Sequence, residues 1–398
     1  MKKLFIYTAM AAVALFTACT NDDDGQENVT TDLSNAADLD YSAAFAQQWC
    51  NYMSVTATLL RDDASALFKY WNEDNNGKYG ERFANLFKEH NNDSYKSVFD
   101  CVHEIIDGCE TIADEVGNAK IGEPYALWTG GNHVKAVYAV ESWYSWHSRV
   151  DYRNNIFSVR NAFFGSLDGS VHPNSLSALL AKKNPALNAE AIQKINAAAA
   201  AIWAIPQPFR NNIASNESRN AMTVCGELAE FLGDDLKAEF SPERYTAEEL
   251  NPVIAQYVDG VVLPTYKNLK EKVGTLYTAV QNFRKSPSNE GFKACGNAWL
   301  DAREPWELSE AFLFGPVADA GLDPNMDSWP LDQDGIVAIL KSSDWKQLAW
   351  DGEYEGLDEN NEDNSSDQAK KIAKAQNLRG FHTLEYFIFK NGEVRRVN

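Results

Sequence analysis

The chain is short of positive charge, of cysteine and of histidine, and each shortage removes a class of function. Lys and Arg number 36 against 57 Asp and Glu, a formal net charge of −21. So acidic a chain repels a phosphate backbone before contact, which argues against nucleic acid, or an anionic membrane surface, as a partner. Six cysteines are too sparse for a disulfide scaffold. Apart from Cys19 they are Cys50, Cys101, Cys109, Cys225 and Cys295, an odd set that reads mostly as buried thiols. Cys101 and Cys109 fall about 12 Å apart along one straight helix, beyond disulfide reach. The general catalytic signatures are also missing: no HExxH, no Gly-rich phosphate loop, no GxSxG elbow and no EF-hand loop. The nearest approach is His103-Glu104-Ile105-Ile106-Asp107, with Asp107 where a zinc-binding helix needs its second His; the polar face of an amphipathic helix accounts for it. His90, His133, His147, His172 and His382 form no i, i+4 pair, so a multi-histidine centre requires distant segments.

What is present begins with a leader. Lys2 and Lys3 precede an apolar run over 4–15, too short to span a bilayer as a mature helix. It ends in Leu15-Phe16-Thr17-Ala18-Cys19, which resembles the lipobox of bacterial lipoproteins, with Phe16 a departure from the commoner residue there. The resemblance implies a signal peptide over 1–18, Cys19 as the lipidated first residue, and an outer-membrane lipoprotein facing the periplasm or the cell surface. Residues 19–40 are polar and acidic, with Asp22, Asp23 and Asp24 at their head. They read as a flexible tether, or as a surface-export tag of the kind some lipoproteins carry. Folded structure is expected from Tyr41.

Hydrophobic residues at 44% and aromatics at 12% are ample for sizeable cores. Phe45, Trp49, Tyr52, Met53, Thr56 and Leu60 recur at helical spacing, as do Val98, Cys101, Val102, Ile105, Ile106 and Cys109. Further helices are predicted over 134–149, 189–204, 222–232, 251–283 and 291–314, with no alternating run of similar length. Pro252 fits a helix start, and Pro264 predicts that the 251–283 helix kinks or divides. The expected fold class is all-α: two packed helical bundles of similar architecture, 41–250 and 251–398. An acidic loop over 351–367 is long enough to be a lid or docking element as well as a solvated connection.

Near the C-terminus stands Gly380-Phe381-His382-Thr383-Leu384-Glu385. On a strand His382 and Glu385 would face opposite ways; on a helix they lie one turn apart on one face, where both could ligate a first-row metal. Gly380 would allow close backbone approach. Asn391-Gly392 is a hairpin signal taken alone, but the flanking sequence favours a helix over 380–389 with Asn391-Gly392 as its stop.

This GxHxxE, followed by Tyr386-Phe387-Ile388-Phe389, resembles the signature of the imelysin-like family, also called the insulin-cleaving metallopeptidase or HxxE-type family. A second block is similar to the family's stretch ahead of that motif: Trp299 through Trp306, then Glu310, Phe312, Phe314, Gly315 and Pro316, then Asp327-Ser328-Trp329-Pro330-Leu331-Asp332. A third, running from Asp151 through Gly165, resembles a half that usually follows GxHxxE, so the chain reads as circularly permuted. The polar run that many members carry before the third block is replaced by 142–148, which removes that support for ligand roles there.

The resemblance implies two all-helical domains, a site between them at the GxHxxE helix, and a link to bacterial iron uptake alongside other uptake components. The leading expectation is a lipoprotein binding a divalent metal, iron or zinc, or an iron-bearing ligand, through His382 and Glu385 with Glu310 added. Arg303 would orient a carboxylate or grip an anion by its fork; Asp151 marks the third block. Arg303 also reads as one half of an ion pair with Glu304, Glu307 or Glu310, and His382 as a structural histidine. The alternatives are a metallopeptidase with Glu385 or Glu310 as general base and His147 as a further nitrogen ligand, or a metal-free binding protein.

Overall fold

The computed structural model describes residues 40–73, 82–358 and 364–397. The leader, Cys19 and the tether lie outside the described residues. Among those described, no helix is long and apolar enough to cross a membrane.

The fold is all-α apart from one small hairpin. Ten helices matter most for the site: α1 Ala46–Asn72, α2 Val98–Asp114, α3 Ser148–Phe164, α4 Pro185–Ala204, α5 Asn216–Glu230, α6 Ala247–Tyr257, α7 Leu263–Lys285, α8 Asn289–Glu307, the short α9 Leu322–Asp327 and α10 Gly380–Ile388. Each long one buries the stripe its periodicity marks; in α2 the residues Cys101, Val102, Ile105 and Ile106 are essentially unexposed. Its start is set by a capping box, in which Ser97 and Asp100 satisfy each other's backbone N–H. α1 packs on α7, α7 on α8, and α10 on both α1 and α8; α2, α3, α4 and α5 form a second group. The two groups meet where α3 lies against α8. The five cysteines from Cys50 onward are free and buried.

The helix expected over 134–149 does not form as one piece. It ends at Tyr138, and α3 begins only at Ser148. Between them the backbone turns through positive φ at Ser142 (53°) and Trp146 (61°), held by Ser148 Oγ donating to the Glu141 carbonyl at 2.5 Å. The 251–283 segment, by contrast, is continuous. α6 starts earlier, at a Thr246/Glu249 capping box, with Pro252 inside it; a π turn over Val258–Val262 leads into α7, whose second residue is Pro264. Such a turn accommodates the donor that Pro264 lacks without breaking the axis. Another π turn, Glu115–Ile121, continues α2 and carries Lys120.

α10 stops at Ile388, and Asn391-Gly392 is not its cap. The pair closes a hairpin in which Phe389 pairs with Val394 and Lys390 with Glu393. Both turn residues have positive φ, 52° and 79°, as a two-residue primed turn requires. The tip packs on the 139–147 turns, with the Gly392 N–H donating to the Tyr144 carbonyl at 2.8 Å.

Candidate functional site

α10 brings His382 and Glu385 to one face, both buried, with His382 Nδ1 3.0 Å from Glu385 Oε2. The other oxygen of Glu385 accepts from Ser145 N at 2.8 Å and Ser145 Oγ at 2.7 Å. The broken helix over 134–149 thus has a function, since its turns deliver Ser145 to Glu385 and Glu141 to the opposite side of the imidazole. His382 Nε2 faces Asp327 Oδ1 at 3.1 Å and Glu141 Oε1 at 3.4 Å. Trp329 packs edge-on, 4.8 Å from the imidazole between ring centres.

Gly380 opens this helix at φ 90°, and a Cβ there would sit 2.4 Å from the Met326 carbonyl oxygen. The close approach fixes α10 against α9, beside Asp327. Gly380→Ala should therefore lower stability by about 1–3 kcal/mol through backbone strain alone, and more through the clash, read as a lower denaturation midpoint.

Arg303, from α8, fills the centre and is fully buried. Its Nη2 lies 2.5 Å from Glu141 Oε1 and 2.6 Å from Glu307 Oε1, its Nε 3.6 Å from Asp151 Oδ2, and its Nη1 binds Asp327. The same Nη2 is 3.3 Å from His382 Nε2. Arg303 is thus paired with Glu307, one of the ion-pair partners foreseen, and with three carboxylates from elsewhere in the chain. Asp327 also accepts from Trp306 Nε1 at 2.6 Å, and Glu307 from Asn155 Nδ2 at 2.5 Å.

Lys120 approaches from the π turn, its Nζ 3.1 Å from Glu141 Oε2 and 3.9 Å from Glu310 Oε1. Glu310 therefore lies on the Lys120 side of the centre and not beside His382. His147 is paired elsewhere, its Nδ1 2.7 Å from Asp151 Oδ1, and it feels the charges of Arg303 and Glu385 from there. His103 is elsewhere, with Nε2 2.9 Å from the Phe240 carbonyl.

The ionisation states follow from this crowding. Burial works against ionised Glu141, but Lys120, the hydrogen bond from His382 and Arg303 hold its pKa below the ordinary range. Burial likewise opposes ionised Asp327, and Arg303 with His382 overcomes it. Burial and then Arg303 push the His382 pKa down, yet Asp327 and Glu141 hold it well above that of a free imidazole. Glu307 and Glu310 are pushed far up, first by burial and further by neighbouring carboxylates. Asp323 rises to about 7, by burial and then the charge of Asp327.

Two triads here have ligand atoms within 4.8 Å of one another: Glu141, Asp327 and His382, and Glu307, Glu310 and Asp327. The first offers two carboxylate oxygens and an imidazole nitrogen, a set suited to first-row divalent metals. Glu385 is outside both, occupied with the far nitrogen of the imidazole. Glu141 carried little signal in the sequence, being one acid ahead of an aromatic-rich run. Asp327 stood in a motif block but was not singled out, and Lys120 stands in a π turn, whose register a regular helical period does not give.

Fold and site together define an all-helical protein with a buried His-carboxylate centre neutralised by Arg and Lys. The Imelysin family profile matches residues 22–233 and 262–397, and the chain belongs to that family. It is 51% identical to an imelysin peptidase of Bacteroides ovatus whose crystal structure is known, covering 92% of this chain and 100% of that one at a TM-score of 0.85. It is also 37% identical over 86 residues to Iron-regulated protein A of Synechococcus elongatus. That match spans 22% of this chain and 24% of the relative.

Proposed function

We propose that this is a cell-envelope lipoprotein, anchored in the outer membrane through Cys19, that binds a divalent metal and acts in iron uptake beside other uptake components. His382, Asp327 and Glu141 are the donors, with iron or zinc as the ion. The observation that carries the reading is the orientation of His382. Glu385 holds Nδ1, and Ser145 holds Glu385, so Nε2 is aimed at the two carboxylates. Carboxylates that fix a metal-binding imidazole in this way are the usual outer support of such ligands. The bound ion would supply positive charge and Lewis acidity. Arg303 binds the Glu141 and Asp327 oxygens that face the imidazole, and Lys120 binds the other oxygen of Glu141. The name Iron-regulated protein A, borne by a relative, connects the proposed role with iron supply.

The name of the Bacteroides ovatus relative brings a peptidase reading with it. Cleavage needs an open position that a polypeptide can reach, and of the three donors His382 is fully buried, Glu141 nearly so and Asp327 only partly exposed. Burial supports holding an ion over turning over a chain.

The test is elemental analysis after loading with Fe(II) or Zn(II) and desalting. Wild type should retain metal that a His382→Ala, Asp327→Asn variant of the same fold, checked by circular dichroism, does not. Equal retention by the two overturns the reading. Cleavage of denatured protein by the loaded wild type, absent from that variant, would establish the peptidase instead.

A further inference from the structure

The outer face of α3 carries Arg149, Arg153 and Arg160, and among the described residues none of them has a carboxylate within ion-pair distance. In a chain of net charge −21 such a run is unexpected. The three are stacked on two rings. Arg149 and Arg153 lie 4.3 and 4.6 Å from the centre of Trp203, and Arg153 and Arg160 lie 4.7 and 4.2 Å from that of Phe157. Arg149 is further fixed by donating to the carbonyls of Trp203 (3.2 Å) and Ile205 (2.9 Å). Burial, and then the charge of Arg153, lowers the pKa of both Arg149 and Arg160. Asp168, the acid that Arg160 feels, is itself taken up by Ser166 and Ser170.

Apolar side chains flank this strip. Trp203 is 44% exposed at one end; Leu167 and Val171 are 39% and 44% exposed in the loop after α3. That loop lies against Arg160, whose Cζ is 3.6 Å from where a Cβ on Gly169 would stand. These are three of the four large apolar side chains exposed among the described residues. The N-terminal end of α3 is linked to Asp40, the first described residue, through the 389–394 hairpin. Asp40 is held by Lys390 at 3.2 Å and Arg395 at 2.8 Å. The same hairpin touches Arg210 through Asn391 at 3.1 Å, and Gly392 packs on Trp146, two residues before α3.

We propose that this strip seats the protein on a lipid surface bearing anionic phosphate headgroups, with the guanidinium N–H groups not already spent on Trp203, Ile205 and Asn161 donating to phosphates and Trp203, Leu167 and Val171 at the headgroup boundary. Guanidinium matches phosphate geometry, and exposed Trp favours that interfacial layer. The overall negative charge does not forbid it, because at physiological salt charges beyond about 8 Å are largely screened. The inference is independent of the metal centre, and it does not require acylation of Cys19.

The experiment is vesicle flotation with a chain lacking residues 1–19, which lie outside the described fold, so that neither leader nor acyl chain contributes. Vesicles are phosphatidylcholine alone, or mixed with phosphatidylglycerol. Wild type should float with the mixed vesicles, less as salt rises and little with phosphatidylcholine alone. Arg153→Gln with Arg160→Gln should weaken partitioning by about fivefold per arginine. Arg153→Lys with Arg160→Lys, which keeps the charge, should retain most of it, with thermal melts confirming that both variants fold. No flotation of wild type, equal flotation of wild type and the Gln variant, or equal binding to both vesicle types would overturn the proposal.

Discussion

Arg303→Met should destabilise the protein by about 3–5 kcal/mol at neutral pH, the cost of leaving buried charge without its partner. Methionine fills similar space, so the loss is electrostatic and not a cavity. Glu141, Asp327, Glu307 and Asp151 all lean on this one guanidinium. Without it the pKa of ionised Glu141 and Asp327 rises towards the pushed-up range of Glu307 and Glu310. A carboxyl whose folded pKa exceeds its unfolded value stabilises below the unfolded pKa, and that stability is lost as pH rises through the folded one. The deficit of the variant relative to wild type should therefore shrink as pH falls from 7 to 5. Urea denaturation across that range measures it; a deficit that does not change with pH would mean that Arg303 acts by packing alone.

Metal affinity should fall about tenfold for each pH unit below the folded pKa of His382, because the ion must displace the proton on Nε2. Since Asp327 and Glu141 hold that pKa well above the ordinary imidazole value, the decline should already be under way at neutral pH. The same raised pKa stabilises the metal-free protein. That contribution is complete below about pH 6.5, the unfolded value, and is lost as pH rises through the folded one. Metal-induced gains in melting temperature should accordingly grow from mildly acidic to mildly alkaline pH. Glu385→Gln removes the charge behind Nδ1 and should weaken binding by about 10–100-fold while leaving the direct donors in place. Titration with Zn(II) against a competing chelator, at several pH values, reads both effects. Unchanged affinity in Glu385→Gln would remove Glu385 from any orienting role.

Periodicity made the long helices legible, and spacing put His382 beside Glu385, because both depend on residues a turn apart. It could not show that Glu385 would spend itself on Nδ1. That depends on Ser145, 240 positions away, arriving through turns where a helix was expected. Asp327 and Glu141 are likewise brought to Nε2 by packing of α9 and the 139–147 turns, which no local pattern encodes. Arg303 was recognisable as a charge needing a partner, but Asp151 and Glu141 meet it only where α3 lies against α8. Asn391-Gly392 shows local chemistry prevailing: the pair is among the strongest hairpin signals, and it makes a hairpin directly after the helix it was expected merely to end.

Enclosure of the centre separates how tightly an ion is held from how fast it exchanges. Of the proposed donors His382 is fully buried, Glu141 nearly so and Asp327 partly exposed, so an ion held there would come and go through transient parting of α9 from α10, and a chelator in solution should strip it at a rate that levels off with chelator concentration. Such a protein would release its cargo on a clock set by local unfolding, and a partner that loosened α10 would control delivery without ever competing for the ion.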